Sequence, residues 1–103
     1  MLGLITGANR GLGYELVKEG LKRGHAILAA CRCVERERAE DLWKLKEVYQ
    51  ERLCILKMDV TKEEEVKQAA DRVKAEWGKL DFLINNAGVL FEKMVMPGDC
   101  IGD

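Results

Sequence analysis

No apolar run in the 103 residues approaches the ~18 that a membrane span requires, and the first residues lack a secretory pattern. Charge excess of either sign is missing as well. The 17 basic and 18 acidic residues are interspersed and leave a net charge of -1. That balance offers no electrostatic footprint for nucleic acid or for an anionic membrane. Histidine occurs once, at His25, so Cys31-Arg32-Cys33 has no matching Cys/His pair with which to enclose a metal. The four cysteines, Cys31, Cys33, Cys54 and Cys100, are unevenly spaced, which suits reduced thiols in a cytoplasmic protein better than a disulfide framework. Proline is confined to Pro97, inside a stretch (91–103) that has no usable periodicity and reads as an irregular tail.

Hydrophobic residues make up 48% of the chain, enough for a folded globule of this length to bury a real core. Leu2 to Ile5 is a short apolar run of the kind found in strands covered on both faces. From Leu12 the pattern becomes helical, with Leu12, Leu16, Val17 and Leu21 on one side and Gly24 as a stop. A second buried strand is expected over 25–31 and a third over 53–58. Between them, a charged stretch from about Glu35 to Arg52 carries the apolar stripe Ala39, Leu42, Trp43, Leu45 and Tyr49. It reads as one amphipathic helix. Thr61 with Glu64 three residues later predicts a capping box opening the next helix. Val66, Ala69, Ala70, Val73 and Trp77 then fall on one helical face, Gly78 ends it, and residues 80–84 form a fourth strand. Strands alternating with helices predict an α/β fold, a parallel sheet with helices on both faces.

Residues 6–13 read T-G-A-N-R-G-L-G and fall between the first strand and the first helix. A helix N-terminus offers unpaired N–H groups and the positive end of the helix dipole, and glycines let a phosphate approach the backbone. The spacing is that of neither a P-loop nor a G-x-G-x-x-G fingerprint: Gly7 and Gly11 have three residues between them, no Lys-Ser/Thr follows, and the order is G-x-x-x-G-x-G. On the loop alone, a turn that is merely glycine-rich remains the alternative.

Three motifs at successive strand ends go further. T-G-x-x-x-G-x-G after the first strand, Asp59-Val60 after the third, and L-D-F-L-I-N-N-A-G (80–88) at the fourth together resemble the short-chain dehydrogenase/reductase family. The resemblance is to the NADP-type, carbonyl reductase-like members and covers residues 1 to about 90, the cofactor-binding half of the family fold. It implies a Rossmann-type three-layer sandwich with strand order 3-2-1-4, stopping before a fifth strand. It further implies that Gly7, Gly11 and Gly13 shape a diphosphate loop, with Leu12 near the nicotinamide-side phosphate. By the same resemblance, Asn9 and Arg10 would face the adenosine ribose, Asp59 and the Val60 backbone the adenine, and Asn86, Ala87 and Gly88 the adenosine half of the groove. Thr6 and Asn85 would tie one strand end to the next.

In dinucleotide-binding folds an acidic residue at the end of the second strand usually grips the ribose hydroxyls of NAD. Here Ala29-Ala30-Cys31-Arg32 ends that strand, with no acid before Glu35. A guanidinium forms charge-assisted bonds to a 2′-phosphate that a carboxylate would repel. Arg32, with Arg10 as a second cation, therefore predicts NADP(H); the plain alternative is that both are solvated surface charges.

The family's hydride transfer uses a serine, an asparagine and a tyrosine with a lysine four positions later, all beyond the Asn-Asn-Ala-Gly motif. This chain has no serine, and its one Tyr-x-x-x-Lys string, Tyr14 to Lys18, falls on the first helix behind the glycine loop. No catalytic residue is expected. Two readings follow: the NADP(H)-binding portion of an oxidoreductase, or a non-catalytic NADP(H)-binding or interaction module. In either, the apolar fourth strand would lie at an open sheet edge and favour self-association or a partner.

Overall fold

A computed structural model describes residues 1–86. The expected tail over 91–103, together with residues 87–90, lies outside the described residues. The elements follow in the order β1 (Leu2–Thr6), α1 (Gly11–Lys22), β2 (Ala26–Cys31), α2 (Glu40–Tyr49), a 3-10 turn (Gln50–Arg52), β3 (Leu53–Lys57), α3 (Glu63–Trp77) and β4 (Phe82–Ile84). The strands form one parallel sheet in the order β3-β2-β1-β4. Leu2 stands opposite Ala26, Gly3 opposite Phe82, and Ile27 opposite Leu53.

Each strand alternates between two cores, because successive side chains of a strand point to opposite faces. Leu4, Leu28, Ala30, Leu56 and Leu83 go to one face, where Val66, Ala69 and Val73 of α3 cover them. Ile5, Ile27, Ala29, Cys31 and Leu53 go to the other, beneath Val17 and Leu21 of α1 and Leu42 of α2. That double burial is why the strands read as unbroken apolar runs rather than alternating ones. The result is the expected three-layer arrangement.

Two helix starts differ from the sequence-based expectation. The helix expected from Glu35 begins at Glu40, and residues 35–38 form a turn in which the Arg38 and Ala39 amides both donate to the Glu35 carbonyl at 2.9 and 3.0 Å. Glu35-Arg36-Glu37-Arg38 has no apolar side chain to hold a helical turn against the sheet, and the stripe begins only at Ala39, which is buried. The capping box is not formed either. The N-cap of α3 is Lys62, without a side-chain bond, while the Thr61 hydroxyl and amide donate to Asp59 Oδ1 at 2.6 and 2.9 Å. An ionised carboxylate two residues upstream is the stronger acceptor and captures both groups. Glu65, rather than Glu64, turns back and accepts the Asp59 amide at 2.9 Å.

Arg52 fastens the base of the sheet on the side away from the loops discussed below. Its Nη2 donates to the carbonyl of Leu21, in the last turn of α1, and at 3.1 Å to that of His25 before β2. A cation is well placed at a helix C-terminus, where the carbonyls lack intrahelical partners. Lys46 does the same for the turn that ends α2, donating to the Gln50 and Leu53 carbonyls at 3.0 and 2.6 Å.

Gly3 is the tightest point of the sheet. A Cβ built there would stand 2.0 Å from Cε2 of Phe82, whose ring lies across β1. Gly3→Ala is therefore expected to destabilise the fold by about 1–3 kcal/mol, the usual cost of overpacking. Thermal or urea unfolding of the variant against the parent measures it.

Candidate functional site

The carboxyl ends of β1, β2 and β3, together with Asn86 just past β4, surround a cleft of about 880 Å³. Open α/β sheets bind ligands at this end, where the loops diverge around a change in strand order. Of the twelve residues expected at the site, Gly7, Asn9, Arg10, Gly11, Leu12, Arg32, Asp59, Val60 and Asn86 line the cleft. Gly13 lies just behind it, and Ala87 and Gly88 lie outside the described residues. Sequence reasoning did not place Cys31, Cys33, Arg38, Met58 or Thr61 at this site, though all five line the cleft. Four of these flank residues that were chosen, so the available signal was adjacency; Arg38 was hidden in the charged run assigned to a helix.

The β1–α1 loop turns through two glycines in the left-handed region, Gly7 at φ 59° and Gly11 at φ 61°. Side chains seldom adopt this conformation. Nothing lies within 4 Å of the place where a Gly11 Cβ would project, so the backbone there is open to an approaching group. The opposite holds at Gly13. A Cβ there would come 2.2 Å from the Gly7 carbonyl oxygen and 2.7 Å from Asn86 Nδ2. The first turn of α1 can pack on the loop only because that atom is missing.

Side chains tie the strand ends together beneath this loop. The buried Thr6 hydroxyl donates to Asn85 Oδ1 at 2.9 Å, and Asn86 Nδ2 donates to the Gly7 carbonyl at 3.2 Å. The Ala8 amide donates to the Ala30 carbonyl at 3.1 Å, and the Met58 amide to the Cys31 carbonyl at 2.9 Å. Asn9 Nδ2 reaches the Arg38 carbonyl at 3.4 Å. Four strand ends are thus cross-linked by bonds that do not belong to the sheet ladders.

Electrostatically the cleft combines features that favour an anion with one ionised hydrogen-bond acceptor. The first turn of α1 contains no acid, and Arg10, its N-cap, makes no side-chain cap bond. The free N–H groups and the positive dipole end of α1 therefore face the cleft without a local carboxylate. Arg32 lines the same opening. The Thr61 hydroxyl and amide hold the Asp59 carboxyl below the usual carboxylate range, with Lys62 and Arg32 adding smaller effects. Asp59 is consequently an ionised acceptor throughout the neutral range. Both Thr61 bonds use Oδ1. The Asp59 amide held by Glu65 fixes the loop on which this carboxylate stands. Burial pushes the Cys31 thiol up, and its Sγ donates to the Cys33 carbonyl at 3.1 Å, an inert arrangement rather than a reactive one.

Tyr14 and Lys18 lie on α1 and not among the cleft-lining residues. Lys18 Nζ sits 5.3 Å from the centroid of the Tyr14 ring and 3.5 Å from Glu15 Oε1. Their spacing is that of one helical turn.

Comparison with known proteins agrees with this geometry. The family profile described as short chain dehydrogenase matches residues 2–98. The chain is similar to (-)-isopiperitenone reductase of Mentha piperita, 37% identical over 94 residues, covering 89% of this chain and 30% of that protein. Salutaridine reductase of Papaver bracteatum is 39% identical over 87 residues, covering 84% of this chain and 28% of that protein. Among solved structures, NADPH-bound carbonyl reductase from chicken fatty liver superposes with a TM-score of 0.76 at 36% identity, covering 84% of this chain and 36% of that one. The chain thus spans about three tenths of the length of these curated relatives.

Replacing Gly13 should cost more than replacing Gly11, because the first clash is with backbone and the second substitution meets only conformational strain. Gly13→Ala is expected to lower stability by about 1–3 kcal/mol and Gly11→Ala by about 1 kcal/mol. Parallel denaturant titrations of the two variants check the order.

Proposed function

The chain belongs to the short-chain dehydrogenase family, and we propose that its described residues form the NADP(H)-binding part of an oxidoreductase acting on a carbonyl or alcohol. One observation carries the choice of cofactor: Arg32, the first residue after β2, lines the cleft, with no carboxylate at that position to engage ribose hydroxyls. The cleft also fits the rest of the cofactor on its own geometry, through the open backbone at Gly11 and the ionised Asp59.

In this reading Gly7, Gly11, Leu12 and the start of α1 receive the diphosphate, with Gly13 allowing the helix to approach. Asn9 and Arg10 lie beside the adenosine ribose, and Arg32 pairs with the 2′-phosphate. Asp59, with Oδ1 held by Thr61, presents Oδ2 to the adenine amino group, next to the Val60 backbone. Asn86, with Ala87 and Gly88, borders the adenosine half of the groove. NADPH, when bound, supplies hydride to a carbonyl carbon. The residues of this chain bind and orient it; none is assigned to proton transfer, because the sequence lacks serine and Tyr14-x-x-x-Lys18 stands outside the cleft. The relatives named as reductases are consistent with the reaction class. A cytoplasmic setting suits the free thiols of Cys31, Cys33 and Cys54.

A second element of the proposal concerns the sheet edge. Among the described residues β4 pairs with β1 on one side only, and Phe82 and Ile84 are half-buried. That open edge is suited to pairing with a second copy or with a partner chain. Sedimentation at working concentration is expected to show dimers or larger species; a stable monomer removes this element.

The cofactor assignment is tested by nucleotide-fluorescence titration. NADPH should bind at least tenfold more tightly than NADH, and Arg32→Ala should reduce that preference by about tenfold or more, the scale of a charge-assisted bond. Equal binding of the two nucleotides by the parent chain overturns it. The purified chain is expected to show no carbonyl-dependent oxidation of NADPH.

A further inference from the structure

The run Glu35-Arg36-Glu37-Arg38 looks like undifferentiated surface charge, yet the fold separates its two arginines. Arg36 lies over the Trp43 ring, 5.3 Å from its centroid, with Nη1 4.0 Å from Glu47. Arg38 lines the cleft together with Arg10 and Arg32. Its backbone is anchored on both sides: the amide donates to Glu35 at 2.9 Å, the carbonyl accepts Asn9 Nδ2 at 3.4 Å, and Ala39 beside it is buried. Farther back, Trp43 Nε1 holds the Val34 carbonyl at 2.8 Å. A fixed backbone with an exposed side chain is how a chain positions a charge over an opening.

The pairing of the arginines points the same way. The sequence has seven. Arg23, Arg36 and Arg72 pair with Glu19, Glu47 and Glu76, and Arg52 is bonded to the Leu21 and His25 carbonyls. The remaining three, Arg10, Arg32 and Arg38, make no ion-pair contact with a carboxylate among the described residues. All three border one cleft. Acids are as abundant as bases in this chain, and Glu35 and Glu37 are close in sequence, so three guanidinium groups without a salt bridge at one opening, facing the single lining carboxylate of Asp59, are not explained by composition.

We propose that Arg38 is a third cation of the cleft's anion subsite and, with Arg10 and Arg32, determines specificity for a ribose 2′-phosphate. The proposal rests on the NADP(H) reading above. A phosphate monoester carries nearly two negative charges at neutral pH, so two arginines neutralise it and a third leaves surplus positive charge around the bound group. That surplus makes capture of the phosphate sensitive to salt, since exposed charges are screened over about 8 Å at physiological ionic strength. Arg36, carried on the same turn and directed to Glu47, serves as the internal control.

The test is calorimetric titration of the 103-residue chain with adenosine 2′,5′-bisphosphate and with 5′-AMP, at low and physiological salt. The parent should prefer the bisphosphate. Arg38→Gln is expected to lower bisphosphate affinity about tenfold, to leave 5′-AMP affinity unchanged, and to flatten the salt dependence; Arg36→Gln should alter none of these. Arg38 is exposed, and equal melting temperatures would show that the variant is folded. The role of Arg38 is overturned if Arg38→Gln leaves bisphosphate binding intact, or if it weakens both ligands equally. A parent that binds the bisphosphate no better than 5′-AMP overturns the NADP(H) reading itself, a result distinct from either of those.

Discussion

The Gly7 carbonyl oxygen accepts the Asn86 amide and occupies the space that a Cβ on Gly13 would take, so one atom joins the glycine loop, the first helix and the end of β4. The shape of the cleft depends on this packing. Moving α1 outward would lift its N–H groups from the opening and break the Asn86 contact; moving β4 would release the loop. Thr6 and Asn85 make the same connection one residue earlier, with the threonine hydroxyl buried and bonded. A buried hydroxyl without such a partner would be costly, so this bond also fixes which way the strand ends can face.

Electrostatics then gives the cleft two kinds of group, cations and one ionised acceptor. The first turn of α1 contains no acid and Arg10, Arg32 and Arg38 make no salt bridge among the described residues, whereas Asp59 is held ionised chiefly by Thr61 and its loop is clamped by Glu65. Glu65 is itself held below its usual range chiefly by the Asp59 amide, with Lys57 and Lys62 assisting. Elsewhere the surface charges are largely exposed i,i+3 and i,i+4 pairs along helices, which solvent screens. The difference between helix faces laced with salt bridges and cleft arginines without one is a property of position, since acids and bases are nearly equal in number along the chain.

Most of the fold could be read from periodicity. Double-sided burial makes β1 and β2 unbroken apolar runs, and the register of Val66, Ala69 and Val73 placed α3 on the sheet correctly. The glycine loop could be read as a candidate phosphate site from its residues, but the strand order and the loop's expected diphosphate role came from resemblance to the family. What escaped the sequence were competitions between side chains. Thr61 could have capped α3 or closed a turn on Asp59, and only the three-dimensional acceptor decides; Arg36 and Arg38 are equivalent in one dimension and face different ways in three. Arg38 illustrates why a charged run is hard to interpret: its role depends on where α2 begins, and that is set by Ala39 and Leu42 entering the core.

The pairing of β1 with β4 has a kinetic meaning. Thr6 and Asn85 are separated by 79 positions, so their bond closes nearly the whole described chain into one loop. Every strand pair in a parallel sheet already requires a helix-long crossover, and contacts this remote in sequence pay their closure entropy before they return any stability. During synthesis the glycine loop is made 79 positions before its support at Asn86. The cleft is therefore complete only once β4 has paired with β1, and it loses the Asn86 support of its glycine loop when β4 detaches.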